Sequence, residues 1–176
     1  MFTYSAACGP YRGPWRETVL HLKRAPVIAP RVRAALTERL SASNVRFDCI
    51  VPVPLHNIRE RERGFNQATV IARAIASSTG IRLNEASVFR AKATLPHRAG
   101  TSAKDRAKSL RGAFTVVAPR LISSRTVLLV DDVMTTGVTA REAATTLLAS
   151  GASAVGFLAI ARVTRNRGGL RYVVPA

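Results

Sequence analysis

Val127-Leu128-Leu129-Val130-Asp131-Asp132-Val133-Met134-Thr135-Thr136-Gly137-Val138-Thr139 decides the fold of this chain. Four apolar residues open it, as in a strand buried on both faces. Two adjacent carboxylates follow, then a short loop of Thr and Gly. From about Thr139, Ala140, Ala143, Ala144, Leu147 and Leu148 recur at helical spacing, and Gly151 stops them. Strand, acidic pair, small-residue loop and helix, in that order, are the parts of a ligand site at the carboxyl end of a parallel sheet.

The residue types narrow the ligand. Thr135, Thr136 and Thr139 offer hydroxyl donors, and Gly137 lets backbone come close. Free N–H groups at a helix N-terminus, with the macrodipole behind them, favour an anion such as a monoester phosphate. Ionised carboxylates only accept hydrogen bonds, so Asp131 and Asp132 suit vicinal hydroxyls, which donate. Diol and phosphate side by side describe a ribose 5-phosphate. The plainer alternative is one Asp that caps a helix or shapes a turn. Capping uses one side chain, however, and this chain places two of its ten acids together, where they repel.

A chain of 176 residues buries a full core and reads as one compact unit. With 47% hydrophobic and 21% charged residues it is globular rather than disordered. Twenty-seven Lys and Arg give a net charge of +17, a field that attracts phosphates, pyrophosphate or nucleic acid without choosing among them. Aromatic residues are 6%, too few for an obvious single-strand stacking platform. Cys8 and Cys49 match no zinc-ligand spacing and read as free thiols, with a disulfide left open. No apolar run has the length of a membrane span, and no signal peptide is evident, so a cytoplasmic protein is expected.

Outward from the central stretch, residues 1–14 carry Gly9-Pro10 and Gly13-Pro14 and read as irregular. Trp15, Val19 and Leu22 predict a helix ended by Pro26; Pro30, Val32, Ala35, Leu36 and Leu40 predict the next. Asp48–Val53 reads as a strand, punctuated by Pro52 and Pro54. Arg and Glu then alternate from Arg59 to Arg63, which on composition alone is a solvated turn. A helix follows from about Asn66 to Thr79-Gly80. Short strands are expected near Ala86–Arg90 and Ala113–Val117, a buried strand over Ala154–Ile160, and an edge strand at Tyr172–Val174. The order implies a parallel α/β sheet. Ala91–Leu110 is a long basic loop, read either as a mobile solvated segment or as a lid.

Val127–Thr139 resembles the thirteen-residue signature of type I phosphoribosyltransferases, which bind phosphoribosyl pyrophosphate (PRPP). Pro52-Val53-Pro54-Leu55-His56, with Arg63-Gly64-Phe65-Asn66-Gln67-Ala68, resembles the ComF/GntX branch of those proteins. The similarity runs from Tyr11 to about Val163 and includes Leu22-Lys23. It implies a type I phosphoribosyltransferase-like open parallel sheet flanked by helices, with an amino-terminal helical cover (residues 1–44), a core domain (residues 45–176) and a long flexible loop. It further implies that Asp131 and Asp132 hold the ribose hydroxyls. Thr135, Thr136, Gly137, Val138 and Thr139 would cradle the 5-phosphate. Leu55, His56 and Arg63 would meet the pyrophosphate, although His56 is equally compatible with a packed or surface histidine. Lys104 and Arg106 would act from the lid on the leaving pyrophosphate. His97, Gly100 and Ser109 depart from the family pattern there.

The cofactor implied is Mg²⁺, held through PRPP oxygens and water, with no dedicated metal ligands. The partner would be a small-molecule acceptor. The rival reading is a non-catalytic PRPP- or nucleotide-sensing module acting in DNA uptake, with single-stranded DNA or competence proteins as partners. The family's amino-terminal zinc ribbon is missing: the chain begins where that module would end, as in a short form or one whose start is lost.

Overall fold

The computed structural model describes residues 2–91 and 111–164. In chain order the elements are β1 (Tyr4–Pro10), α1 (Gly13–Leu22), α2 (Pro30–Ser41), β2 (Cys49–Pro52), α3 (Asn57–Arg63), α4 (Gln67–Thr79), β3 (Arg82–Leu83), β4 (Val88–Arg90), β5 (Phe114–Val116), a 3₁₀ turn (Pro119–Leu121), β6 (Thr126–Met134), α5 (Val138–Ala149) and β7 (Ala154–Arg162). Five strands form one parallel sheet in the order β1-β7-β6-β2-β3, and β4 and β5 pair antiparallel beside it.

Alternation along β6 divides the core into two layers. Val127 and Leu129 face the layer of Ala143, Ala144 and Leu147 from α5 with Val88 and Phe114 from the small ladder. Leu128 and Val130 face the layer of Leu22 from α1, Leu36 from α2 and Ile71 and Ile75 from α4. Burial on both faces is why β6 reads as a continuous apolar run.

This layering sets the site. From β2 the chain crosses through α4 on one face to β3; from β6 it crosses through α5 on the other face to β7. Neighbouring strands whose crossovers leave in opposite directions open a crevice at their carboxyl ends. The crevice lies between β2 and β6.

Four expectations need correction. Residues 4–10 are not irregular: they form β1, an edge strand parallel to β7, with Tyr4 opposite Gly156 and Pro10 opposite Arg162. Gly-Pro pairs signal turns locally, but an edge strand tolerates proline, and the pairing partner is far along the chain. The Arg/Glu stretch is not a turn but the helix α3, with no buried residue. His56 Nδ1 accepts from the Ile58 amide at its start, Glu60 lies in its first turn, Arg61 and Arg63 in its last, and Gly64 closes it at φ 78°. β6 does not end before the acids; it runs through them to Met134. β4 and β5 pair with each other rather than joining the main sheet. Lys104, Arg106, the rest of the lid and Tyr172–Val174 lie outside the described residues. Cys8 and Cys49 are both free and buried, and burial pushes the Cys8 thiol up to about 11. No helix among the described residues is long and apolar enough to cross a membrane.

One glycine of β7 is fixed by packing. A Cβ on Gly156 would sit 2.5 Å from Cε1 and 2.6 Å from Cζ of buried Phe47. Overpacking of this kind costs about 1–3 kcal/mol. Gly156→Ala is therefore expected to lower the melting temperature by roughly 3–10 °C. Adding Phe47→Leu in the same chain should recover part of the loss, measured by thermal melts of both variants.

Candidate functional site

The loop after β6 is Thr135-Thr136-Gly137, and Gly137 at φ 71° turns directly into α5. Thr135 is exposed, Thr136 and Thr139 are partly buried, and Gly137 and Val138 are buried. No side chain caps this helix start, so its first amides are available. A side chain at Gly137 would meet Met134 Cε at 3.2 Å. Three threonines and the first amides of α5 thus share one turn. Arg141, one turn into α5, donates from Nη2 to the Thr136 carbonyl at 2.9 Å and holds the loop's shape. Nothing in the sequence reading singled out Arg141.

Asp131 and Asp132 stand at the end of β6, both partly buried, and their environments differ. Alternation assigns Asp131 to the Leu129 side and Asp132 to the Val130 side. Asp131 Oδ1 accepts from the Asp132 amide at 2.8 Å. Burial pushes the Asp131 carboxyl well above the usual carboxylate range, and the Asp132 charge adds to this. The Asp132 amide and the Arg90 guanidinium pull the other way without prevailing. Asp132 Oδ2 lies 3.8 Å from Lys23 Nζ, at the end of α1. The two carboxyls therefore meet cations from opposite layers.

Arg90, on β4, has its guanidinium 5.6 Å from the centre of the Phe114 ring. Burial lowers Arg90 from its usual range; Arg59 of α3 adds to that and Asp131 opposes it. Arg90 thus lies within electrostatic reach of both Arg59 and Asp131. Of the pyrophosphate residues expected, His56 caps α3, while Arg63 Nη1 donates to Gln67 Oε1 at 2.7 Å. Leu55 is partly buried in the connection after β2. Asn66 ties that connection down: its Nδ2 donates to the Val53 carbonyl at 3.0 Å and its Oδ1 accepts from the Ala68 amide at 3.0 Å. The Asn-Gln of the motif is thus structural at Asn66. Gln67 is 2% exposed, and its Nε2 has no partner among the described residues.

Sequence reasoning missed Lys23 as a neighbour of the acidic pair, and placed Arg90 at a strand end without linking it to Asp131. No local pattern announces them, since each arrives from a different element. Among the described residues no group of three or more His, Cys, Asp or Glu could hold a metal ion.

No protein-family model matches the chain. Competence protein F of Haemophilus influenzae is 41% identical over 96 residues, which is 54% of this chain and 42% of that protein. DNA utilization protein YhgH of Escherichia coli K12 is 32% identical over 162 residues, 81% of this chain and 70% of that protein. The chain thus spans under half of the Haemophilus protein and over two thirds of the Escherichia one. Among solved structures, adenine phosphoribosyltransferase of Leishmania tarentolae superposes with a TM-score of 0.47 at 14% identity, over 89% of this chain and 92% of that one. The PRPP amidotransferase of B. subtilis superposes with a TM-score of 0.48 at 22% identity, over 72% of this chain and 26% of that one.

Proposed function

From a chain that belongs to the ComF family of phosphoribosyltransferase-like proteins, we propose a PRPP-binding enzyme that transfers the phosphoribosyl group to a small-molecule acceptor and releases pyrophosphate. The observation that carries this reading is the acidic pair and the uncapped Thr-Thr-Gly turn on one strand end, at the switch point between β2 and β6.

In this reading Asp131 and Asp132 accept hydrogen bonds from the ribose hydroxyls, and Thr135–Thr139 hold the 5-phosphate. The bond from the acceptor to carbon 1 forms as the carbon–oxygen bond to pyrophosphate breaks, and the electron pair leaves on that oxygen. A proton carried by the attacking atom passes to solvent. Charge develops on the leaving group, so Arg59, Arg63 and Arg90 stabilise the transition state more than the ground state. Mg²⁺, when bound, neutralises the departing pyrophosphate. The family resemblance assigns Lys104 and Arg106, which lie outside the described residues, to the same leaving group. The helical cover expected over residues 1–44 is α1 and α2, while β1 belongs to the sheet itself.

A second reading is favoured by the names of the relatives, which concern competence and DNA utilization, and by the charge of +17. There the fold senses PRPP or a nucleotide without catalysis and contacts single-stranded DNA or competence proteins. One experiment separates the two. The full chain with Mg–PRPP is expected to release pyrophosphate when offered a panel of bases, amines and pyridine carboxylates. PRPP binding by calorimetry without release by any acceptor, together with salt-dependent DNA binding, would favour the sensor. No PRPP binding would overturn the enzyme reading.

A further inference from the structure

The acidic pair is bracketed by cations from opposite sides. Arg90 acts on the Asp131 side, with Arg59 acting in turn on Arg90. On the Asp132 side the cation is Lys23. α1 follows β1, packs on the Leu128 and Val130 face of the sheet and finishes beside Asp132 on β6. Its ten residues span about 15 Å, enough to cover the two intervening strand spacings. Val19 and Leu22 anchor it at 0% and 1% exposure, and the Lys23 amide donates to the Val19 carbonyl. The base of the Lys23 side chain is thus fixed by the core.

The ammonium itself is not committed. At 3.8 Å from Asp132 it forms an ion pair beyond hydrogen-bonding distance, and its side chain is 35% exposed. Nζ has three donors and makes no hydrogen bond among the described residues. In displacement at carbon 1, attacking and leaving groups take opposite faces of the sugar. With the leaving pyrophosphate on the arginine side, the acceptor approaches on the side of α1.

Resting on the PRPP reading above, we propose that Lys23 is an acceptor-binding residue and that the acceptor is a small molecule carrying a carboxylate. The partly exposed ammonium, 3.8 Å from Asp132, has donors left for one carboxylate; a phosphate monoester would bring nearly two negative charges beside Asp132.

The test uses the full chain with Mg–PRPP and matched acceptors that share a ring with and without the acid: nicotinate against nicotinamide, and orotate against uracil. Pyrophosphate release is read as kcat and KM. The acid of at least one pair is expected to be favoured about 10–100-fold in kcat/KM, the effect of one charge-assisted contact. Lys23→Met should remove that preference, chiefly through KM, with PRPP affinity by calorimetry held within about twofold. Lys23→Arg should restore most of it. Equal use of acid and neutral partners, or an unchanged preference in Lys23→Met, would overturn the proposal. So would a Lys23→Met chain that loses PRPP and acceptor alike, which would make Lys23 a support for Asp132. If PRPP binds but no acid is used, the acceptor assignment falls and the ribose site stands. If PRPP does not bind the unaltered chain, the underlying reading falls with it.

Discussion

Asp131→Asn is expected to melt at a higher temperature than the unaltered protein at neutral pH while losing about 100-fold in PRPP affinity, the effect of one charged hydrogen bond of ~3 kcal/mol. The sign of the stability change follows from linkage. Burial and the Asp132 charge raise the Asp131 carboxyl well above its ordinary range. The folded protein therefore binds this proton more tightly than the unfolded chain. Stability from this group is complete at low pH and is lost as pH rises from about 4 through the raised value. Asparagine removes that loss, and its side-chain oxygen still accepts from the Asp132 amide as Asp131 does. For a chain of this length each kcal/mol recovered is worth about 2–4 °C. The advantage of the variant should widen from pH 4 to pH 7. Thermal melts across that range, with calorimetry using Mg–PRPP, check both halves. A variant that melts lower at pH 7 would show that the Arg90 attraction outweighs burial. Unchanged PRPP affinity would remove Asp131 from the ribose site.

Gly137→Val is expected to abolish PRPP binding, with a loss of 100-fold or more, at about 100-fold per 2.7 kcal/mol. Gly137 has φ 71°, a region where a β-branched residue costs about 1–2 kcal/mol. Its side chain would also press on Met134 Cε, 3.2 Å from the first added carbon. Relief requires the turn to open, and the turn is the proposed phosphate cup. The melting temperature should fall by roughly 3–8 °C. Binding of Mg–pyrophosphate alone should persist, because the loop after β2 would hold it. Equal loss of PRPP and pyrophosphate would indicate general unfolding rather than a closed cup. Normal PRPP binding would place the 5-phosphate elsewhere.

The central stretch was readable because its signals are local. Leu128 and Val130 pack on one layer, Val127 and Leu129 on the other, and Gly137 and Gly151 mark the bounds of α5 at positive φ. The same holds for α4, whose Asn66 cap and Gly80 stop are visible in the residues themselves. What escaped depends on distant partners. β1 lacks a strong alternating pattern and exists by pairing with β7. The strand through Asp131–Met134 persists because β7 continues beside it to Arg162, which no rule about acids at strand ends anticipates. Lys23 and Asp132 are neighbours only after α1 has crossed the sheet. α3 is a separate case: its dipole pattern and Gly64 were present, but alternating charge without an apolar stripe gave no sign of a helix.

The placement of β1 bears on how the molecule is made. Among the described residues its one strand neighbour in the sheet is β7, the last strand there. During synthesis the first strand therefore waits on the ribosome until residue 162 has emerged, long after β2 and β3 can meet. A contact of such sequence separation closes late and slows assembly. Until then Tyr4–Pro10 is an unsatisfied edge that chaperones or neighbouring nascent chains can capture.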